Sequence, residues 1–176
     1  YSHDNEGGFL LICNGATTTT DGNRVHDNIS INDRNTSAPY GVISVVCGST
    51  TDTRVYRNTV VTDRPGTALI SNNGQTGTVF SDNVLVGAVG GSPVTDTLST
   101  YSGNLYWNTA QPRDHAAVDA DPLLRSAHPT APDGVRLRAG SPARGAGAPV
   151  DDGTLTDYFG QRIPARPNLG ADQGRR

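Results

Sequence analysis

One pattern recurs through the first 107 residues: a short stretch of alternating apolar residues, a tight corner containing Asn, and a second such stretch. Aligned on the corner, it takes in Asn5, Asn28, Asn58, Asn83 and Asn104, at spacings of 23, 30, 25 and 21 residues. Val25-His26-Asp27-Asn28-Ile29-Ser30-Ile31 matches Val55-Tyr56-Arg57-Asn58-Thr59-Val60-Val61, then Phe80-Ser81-Asp82-Asn83-Val84-Leu85-Val86 and Tyr101-Ser102-Gly103-Asn104-Leu105-Tyr106-Trp107. Alternation with period two marks strands on both sides of each corner. A third strand per unit lies in the Gly-led stretches Gly8 to Cys13 and Gly41 to Cys47 and in Thr67 to Ser71. Three short strands in about 25 residues describe one rung of a parallel β-helix, stacked on the next at about 4.8 Å. Asn suits the corner because it tolerates left-handed backbone and its amide both donates and accepts, so stacked copies form an inward ladder. Trp107, at the third position after its Asn, is expected inside.

Composition agrees. Thr (20), Gly (21) and Asn (13) are abundant, Lys and Met are absent, and Glu6 is the single Glu. Such a chain lacks the residues of a helical bundle. A net charge of −3 gives no basic surface for nucleic acid. No apolar run approaches the roughly 20 residues that span a membrane as a helix. Residues 108 to 176 carry 8 of the 11 prolines. Proline is excluded from central ladder positions, so this stretch is expected to wrap the solenoid or cap its open end. The division is therefore 1–107 for the rungs and 108–176 for the cap.

The strand-Asn-strand repeat resembles the right-handed parallel β-helix proteins of the pectate-lyase-like superfamily. The likeness continues in Asp121-Pro122-Leu123, Leu137-Arg138-Ala139-Gly140-Ser141-Pro142-Ala143, Asp157-Tyr158-Phe159-Gly160 and the closing Asn168-Leu169-Gly170-Ala171-Asp172. It implies a secreted protein active on carbohydrate. Polysaccharide lyases, glycoside hydrolases, epimerases and non-catalytic adhesins all share this fold. It also implies a saccharide groove along the Gly-led strand and the turn before it.

Candidate chemistry follows the rungs. Asp33-Arg34 and Asp63-Arg64 stand in the same register, five and six residues after their Asn. Arg binds a carboxylate through both oxygens, and the resemblance implies that an Arg can act as a lyase base; the plain reading is a surface ion-pair ladder. His3-Asp4-Asn5 and His26-Asp27-Asn28 repeat one tripeptide, which would stack His3 on His26 as an acid–base or metal pair, or leave both as solvated strand residues. Asp4, Glu6 and Asp33 on stacked rungs could meet the carboxyl separation of about 5 to 9.5 Å that a glycosidase needs, as could many other Asp pairs on such a solenoid. Tyr40, Tyr56 and Tyr106 are possible sugar platforms. The stretches Thr17 to Asn23 and Ser49 to Asp52 read as polar turns. No His or Cys spacing marks a zinc site. Calcium is a possible cofactor of earlier rungs, with no site identified in these residues.

Cys13 and Cys47 each end a Gly-led strand. Aligning Phe9 to Cys13 with Ile43 to Cys47 sets them at the same height on adjacent rungs, within the Cα range of about 4.4–6.8 Å that a disulfide needs. A disulfide is favoured, with two stacked thiols as the alternative. The chain lacks Met and opens inside a strand, so it is expected to be the C-terminal part of a longer solenoid. Its first rung would then rest on the N-terminal portion of the same β-helix or on a second copy. The function expected is that of a carbohydrate-active β-helix enzyme, a lyase or hydrolase acting on a polysaccharide, with uronate-containing substrates slightly favoured by Arg34 and Arg64. The alternative is a non-catalytic β-helix that binds a glycan or a partner.

Overall fold

The structure, a computed structural model, describes residues 1–13, 15, 19–34 and 40–174. It is all-β apart from a short 3-10 helix at Pro132–Val135, and its strands, numbered in chain order, pair in parallel. Sheet I holds β1 (Ser2–His3), β5 (Ile29–Ile31), β9 (Thr59–Val61), β12 (Val84–Val86), β15 (Leu105–Trp107) and β16 (Val118–Asp119) in that spatial order. Sheet II holds β2 (Leu10–Ile12), β6 (Ile43–Val45), β10 (Ile70–Asn72) and β13 (Val94–Thr95). Sheet III holds β4 (Arg24–His26), β8 (Thr53–Tyr56), β11 (Thr78–Ser81) and β14 (Thr100–Ser102). The chain visits I, II and III in turn and returns to I beside its previous pass, a topology consistent with a parallel β-helix. β3 (Thr19–Asp21) pairs with β7 (Ser49–Thr51), so these stretches, expected as turns, contain a fourth strand pair; Thr17 and Thr18 lie outside the described residues.

Sheet register reproduces the repeat with one correction. Ile29 pairs with Thr59, Thr59 with Val84 and Val84 with Leu105, offsets of 30, 25 and 21 that equal the Asn spacings. Ser2, however, pairs with Ser30 and His3 with Ile31. The opening His-Asp-Asn therefore belongs beside Ile31-Asn32-Asp33, one corner later than the matching tripeptide suggests, and His3 does not stack on His26. The true neighbour of His26 is Tyr56.

Four Asn form the ladder. Asn28, Asn58 and Asn83 each donate both the backbone N–H and the side-chain amide to Oδ1 of the next Asn, at 2.8–3.1 Å. Asn104 donates both groups to Asp114 Oδ2 at 3.0 and 2.8 Å, so an Asp closes the series. The second amide hydrogens of Asn58, Asn83 and Asn104 reach the carbonyls of Val25, Val55 and Phe80 on the rung before. The left-handed residue of each corner is the one before the Asn: Asp27 (φ 55°), Arg57 (51°), Asp82 (54°) and Gly103 (72°). Asn thus serves the corner through its side chain rather than its own backbone. Asn58→Ala or Asn83→Ala strands several buried donors and should cost roughly 2–3 kcal/mol in urea unfolding. Asn5→Ala, at an exposed position outside the ladder, should cost well under half of that.

Two apolar layers sandwich sheet I, which is why its strands are buried on both faces. Val60, Leu85 and Tyr106 point inward to Val55, Phe80, Tyr101, Ile43 and Ile70. Ile29, Ile31, Val61, Val84, Val86 and Leu105 point outward to Leu124, Val135, Leu137, Leu169 and Ala171 of the tail. The tail thus runs along the outer face of sheet I. It comes close: a Cβ at Gly170 would stand 2.6 Å from Thr59 Oγ1 and 2.8 Å from Val84 Cγ2.

Cys13 and Cys47 are joined as a disulfide with Cα atoms 5.0 Å apart. Ile12 pairs with Val45, so the register of the two strands is 33 residues, one short of the alignment that equates the cysteines. The left-handed turn at Cys47 (φ 26°) accompanies that extra residue. The bond closes a loop spanning 34 residues. On chain entropy, Cys13→Ser with Cys47→Ser should lower unfolding free energy by about 4 kcal/mol, read as a lower urea midpoint than that of the oxidised protein.

Candidate functional site

The sheet I to sheet II turn gathers most of the charged residues that the repeat singles out. Arg34 Nη2 donates to Glu6 at 2.9 Å and Arg64 Nη2 to Asp4 at 3.2 Å, pairs that are largely exposed. His3 Nδ1 lies 3.2 Å from Asp4 on the same surface. Asp33 is fully buried; it accepts from the backbone and side-chain N–H groups of Asn5 and from Ser30 Oγ, at 2.7–2.9 Å. These groups neutralise one another, and Asp33 fixes a turn. Asp63, the counterpart of Asp33 one rung on, is exposed and carries no such bonds.

Asp63 instead lines a cleft of about 560 Å³ between the ends of the sheet I strands and the tail. Val61, Val86 and Trp107 share one register column and form its floor. Tail residues 121–129 and Arg138 form the opposite wall. Trp107 is 37% exposed here rather than interior, because third positions in sheet I face outward, and this one faces the cleft. Asp63, His128, Arg138 and the Trp107 indole N–H have no side-chain hydrogen bond or ion pair among the described residues. Asp121, also in the wall, accepts the Leu123 N–H. A flat aromatic surface ringed by polar groups without internal partners is suited to a polar, ring-shaped ligand. Of this set the repeat marks Asp63 and Trp107, the latter as an interior residue, whereas His128, Arg138 and Asp121 come from the irregular tail.

A second polar cluster forms at the sheet III to sheet I corner. Arg57, 1% exposed, pairs through Nε and Nη2 with the carboxylate of Asp27 (3.1 and 2.9 Å), and Nη2 also reaches Asp152 of the tail at 3.0 Å. Tyr56, expected as an open platform, is buried under the tail and donates to the same Asp152 oxygen at 2.7 Å. His26 stacks on the Tyr56 ring, centroids 4.8 Å apart, and its Nδ1 lies 2.7 Å from Asp27. Burial pushes the Asp152 carboxyl up, but the Tyr56 hydroxyl, the Thr154 amide and Arg57 outweigh it and hold it well below the usual carboxylate range. Tyr40 is half-buried just before Gly41. Among the described residues no three His, Cys, Asp or Glu converge on a metal position, and no helix is long and apolar enough to cross a membrane.

Asp82, next in the corner column, is buried and accepts the Ala148 N–H at 3.1 Å. Burial pushes its carboxyl up to about 6, against the lowering by that N–H and by Arg57. A raised acid is more stable folded when protonated, so its contribution is complete below about pH 4 and is lost as pH rises through about 6. Asp82→Asn removes that titration. Relative to the variant, wild type should lose about 2–3 kcal/mol of stability between pH 4 and pH 7 in parallel urea titrations.

Neither a protein-family model nor a curated protein matches the chain.

Proposed function

We propose that the chain is part of a right-handed parallel β-helix of the pectate-lyase-like kind and that it takes a polysaccharide into the cleft beside Trp107. The observation that carries this reading is the indole at the cleft floor with Asp63, His128 and Arg138 around it, none of them with a side-chain hydrogen bond or ion pair among the described residues. Aromatic rings stack on sugar faces, and polar groups without internal partners are available to hydroxyls and carboxylates. Arg138 supplies the cation for a uronate, and Asp63, Asp121 and His128 are the groups available for proton transfer in a lyase or hydrolase. This shifts the groove from the Arg34–Arg64 turn, where the charges are already paired, to the neighbouring cleft.

A secreted location accords with the Cys13–Cys47 disulfide, since such bonds persist in oxidising compartments. Strands β1, β2 and β4 each have one edge without a partner among the described residues. Further rungs of the same solenoid, or a second copy, are the partners proposed for those edges.

A non-catalytic, glycan-binding reading has one observation in its favour. Among the described residues, Asp63 and His128 lack the hydrogen-bonded support that usually orients a catalytic group. Glycan-array binding, followed by ultraviolet detection of unsaturated product and by reducing-end release, separates the two. Trp107→Ala should weaken binding by about ten-fold, the equivalent of one lost stacking contact, with the melting temperature unchanged. Product formation that Asp63→Asn abolishes supports the enzyme; binding without product supports the adhesin. Silence across acidic and neutral glycans would sink both.

A further inference from the structure

We infer that residues 148–154 form a strap over a carboxylate-binding site made by His26, Tyr56 and Arg57, and that the ligand replacing Asp152 there is the carboxylate of an acidic sugar. The strap contributes no residue to either apolar layer. Ala148, Pro149, Asp151 and Gly153 are exposed, as is Leu155 just beyond. What holds it to the solenoid is polar: the Ala148 N–H on Asp82 and the Asp152 carboxylate on Tyr56 and Arg57. A segment with so little apolar burial opens at low free-energy cost.

Beneath it the site is already built. Arg57 keeps both bonds to Asp27 when Asp152 leaves, so its guanidinium stays in place. The Tyr56 hydroxyl and Arg57 Nη2 then converge on the point that the Asp152 oxygen occupied, 2.7 and 3.0 Å away. The other Asp152 oxygen is bonded within the strap itself, to the Thr154 N–H. The solenoid therefore grips one oxygen only, which suits a carboxylate borne on a larger body. The partly open His26 ring, stacked on Tyr56, gives that body a flat wall. Of the groups that hold Asp152 ionised, the Tyr56 hydroxyl and Arg57 belong to the solenoid and stay to face an incoming anion, while Thr154 leaves with the strap. The glycan reading enters only in the choice of an acidic sugar over another carboxylate.

Titration calorimetry with trigalacturonate tests this, every variant carrying Trp107→Ala so that the cleft is weakened equally in all and cancels from the comparison. Asp152→Ala should bind at least about ten-fold more tightly than its Asp152 parent, the gain of two donors to a charged oxygen. Adding Tyr56→Phe, which leaves Arg57 as the one donor, should cut the gain by roughly three-fold or more, and methyl-esterified trigalacturonate should show none. Circular dichroism confirms that each protein is folded. No gain on Asp152→Ala, a gain that Tyr56→Phe leaves undiminished, or equal binding of the ester would overturn the site and leave the strap a structural contact. The cleft reading fails separately, if the Trp107 protein binds no glycan.

Discussion

Asp114 can only accept hydrogen bonds, and much of the solenoid is oriented by that fact. Its carboxylate takes the N–H groups of Gly103, Asn104 and Ala116, the Asn104 amide and the Tyr106 hydroxyl. Burial opposes its charge, but these donors outweigh burial and hold the carboxyl below its ordinary value. Asn104 must therefore point its nitrogen at Asp114 and its oxygen at Asn83, and the same orientation passes to Asn58 and Asn28. One ionised side chain sets the direction of a buried amide column, because an amide flipped anywhere along it would set oxygen against oxygen.

The ladder also determines what lies outside it. Each Asn side chain turns inward only if the preceding residue is left-handed, and this stacks Asp27, Arg57 and Asp82 in one outer column. Opposite charges alternate there, and the tail attaches to them: Ala148 to Asp82, Asp152 to Arg57. The strap and the site beneath it are consequences of corner geometry. On the other side of sheet I the tail meets the apolar outer positions of successive rungs. It leaves Trp107 open, and the cleft exists because the tail follows the sheet without covering its last aromatic residue.

The ladder was legible because register repeats as spacing: the 30, 25 and 21 residues between successive Asn are the pairing offsets themselves. Asn5 misled because His-Asp-Asn occurs twice, and a tripeptide carries no record of which corner it forms. The one-residue extension at Cys47 was hidden for a related reason, since apolar alternation tolerates a slip that only hydrogen bonding decides. His128, Arg138 and Asp152 were beyond reach because the tail has no period. Nothing in a Pro-rich stretch states where it will lie.

By itself the sequence determined the strand period, the parallel stacking and the Asn column, all of which follow from local alternation and from the chemistry of a repeated side chain. The tertiary structure alone decided which charged groups are spent and which are free. Asp33 and Asp63 occupy equivalent positions, yet the first is locked by Asn5 and Ser30 while the second faces an open cleft. Tyr56 and Trp107 both lie on outward faces, yet the tail buries one and exposes the other. Whether a surface side chain is available depends on the distant segment folded against it, and that contact is set by the packing of the whole chain rather than by the residue's neighbours in sequence.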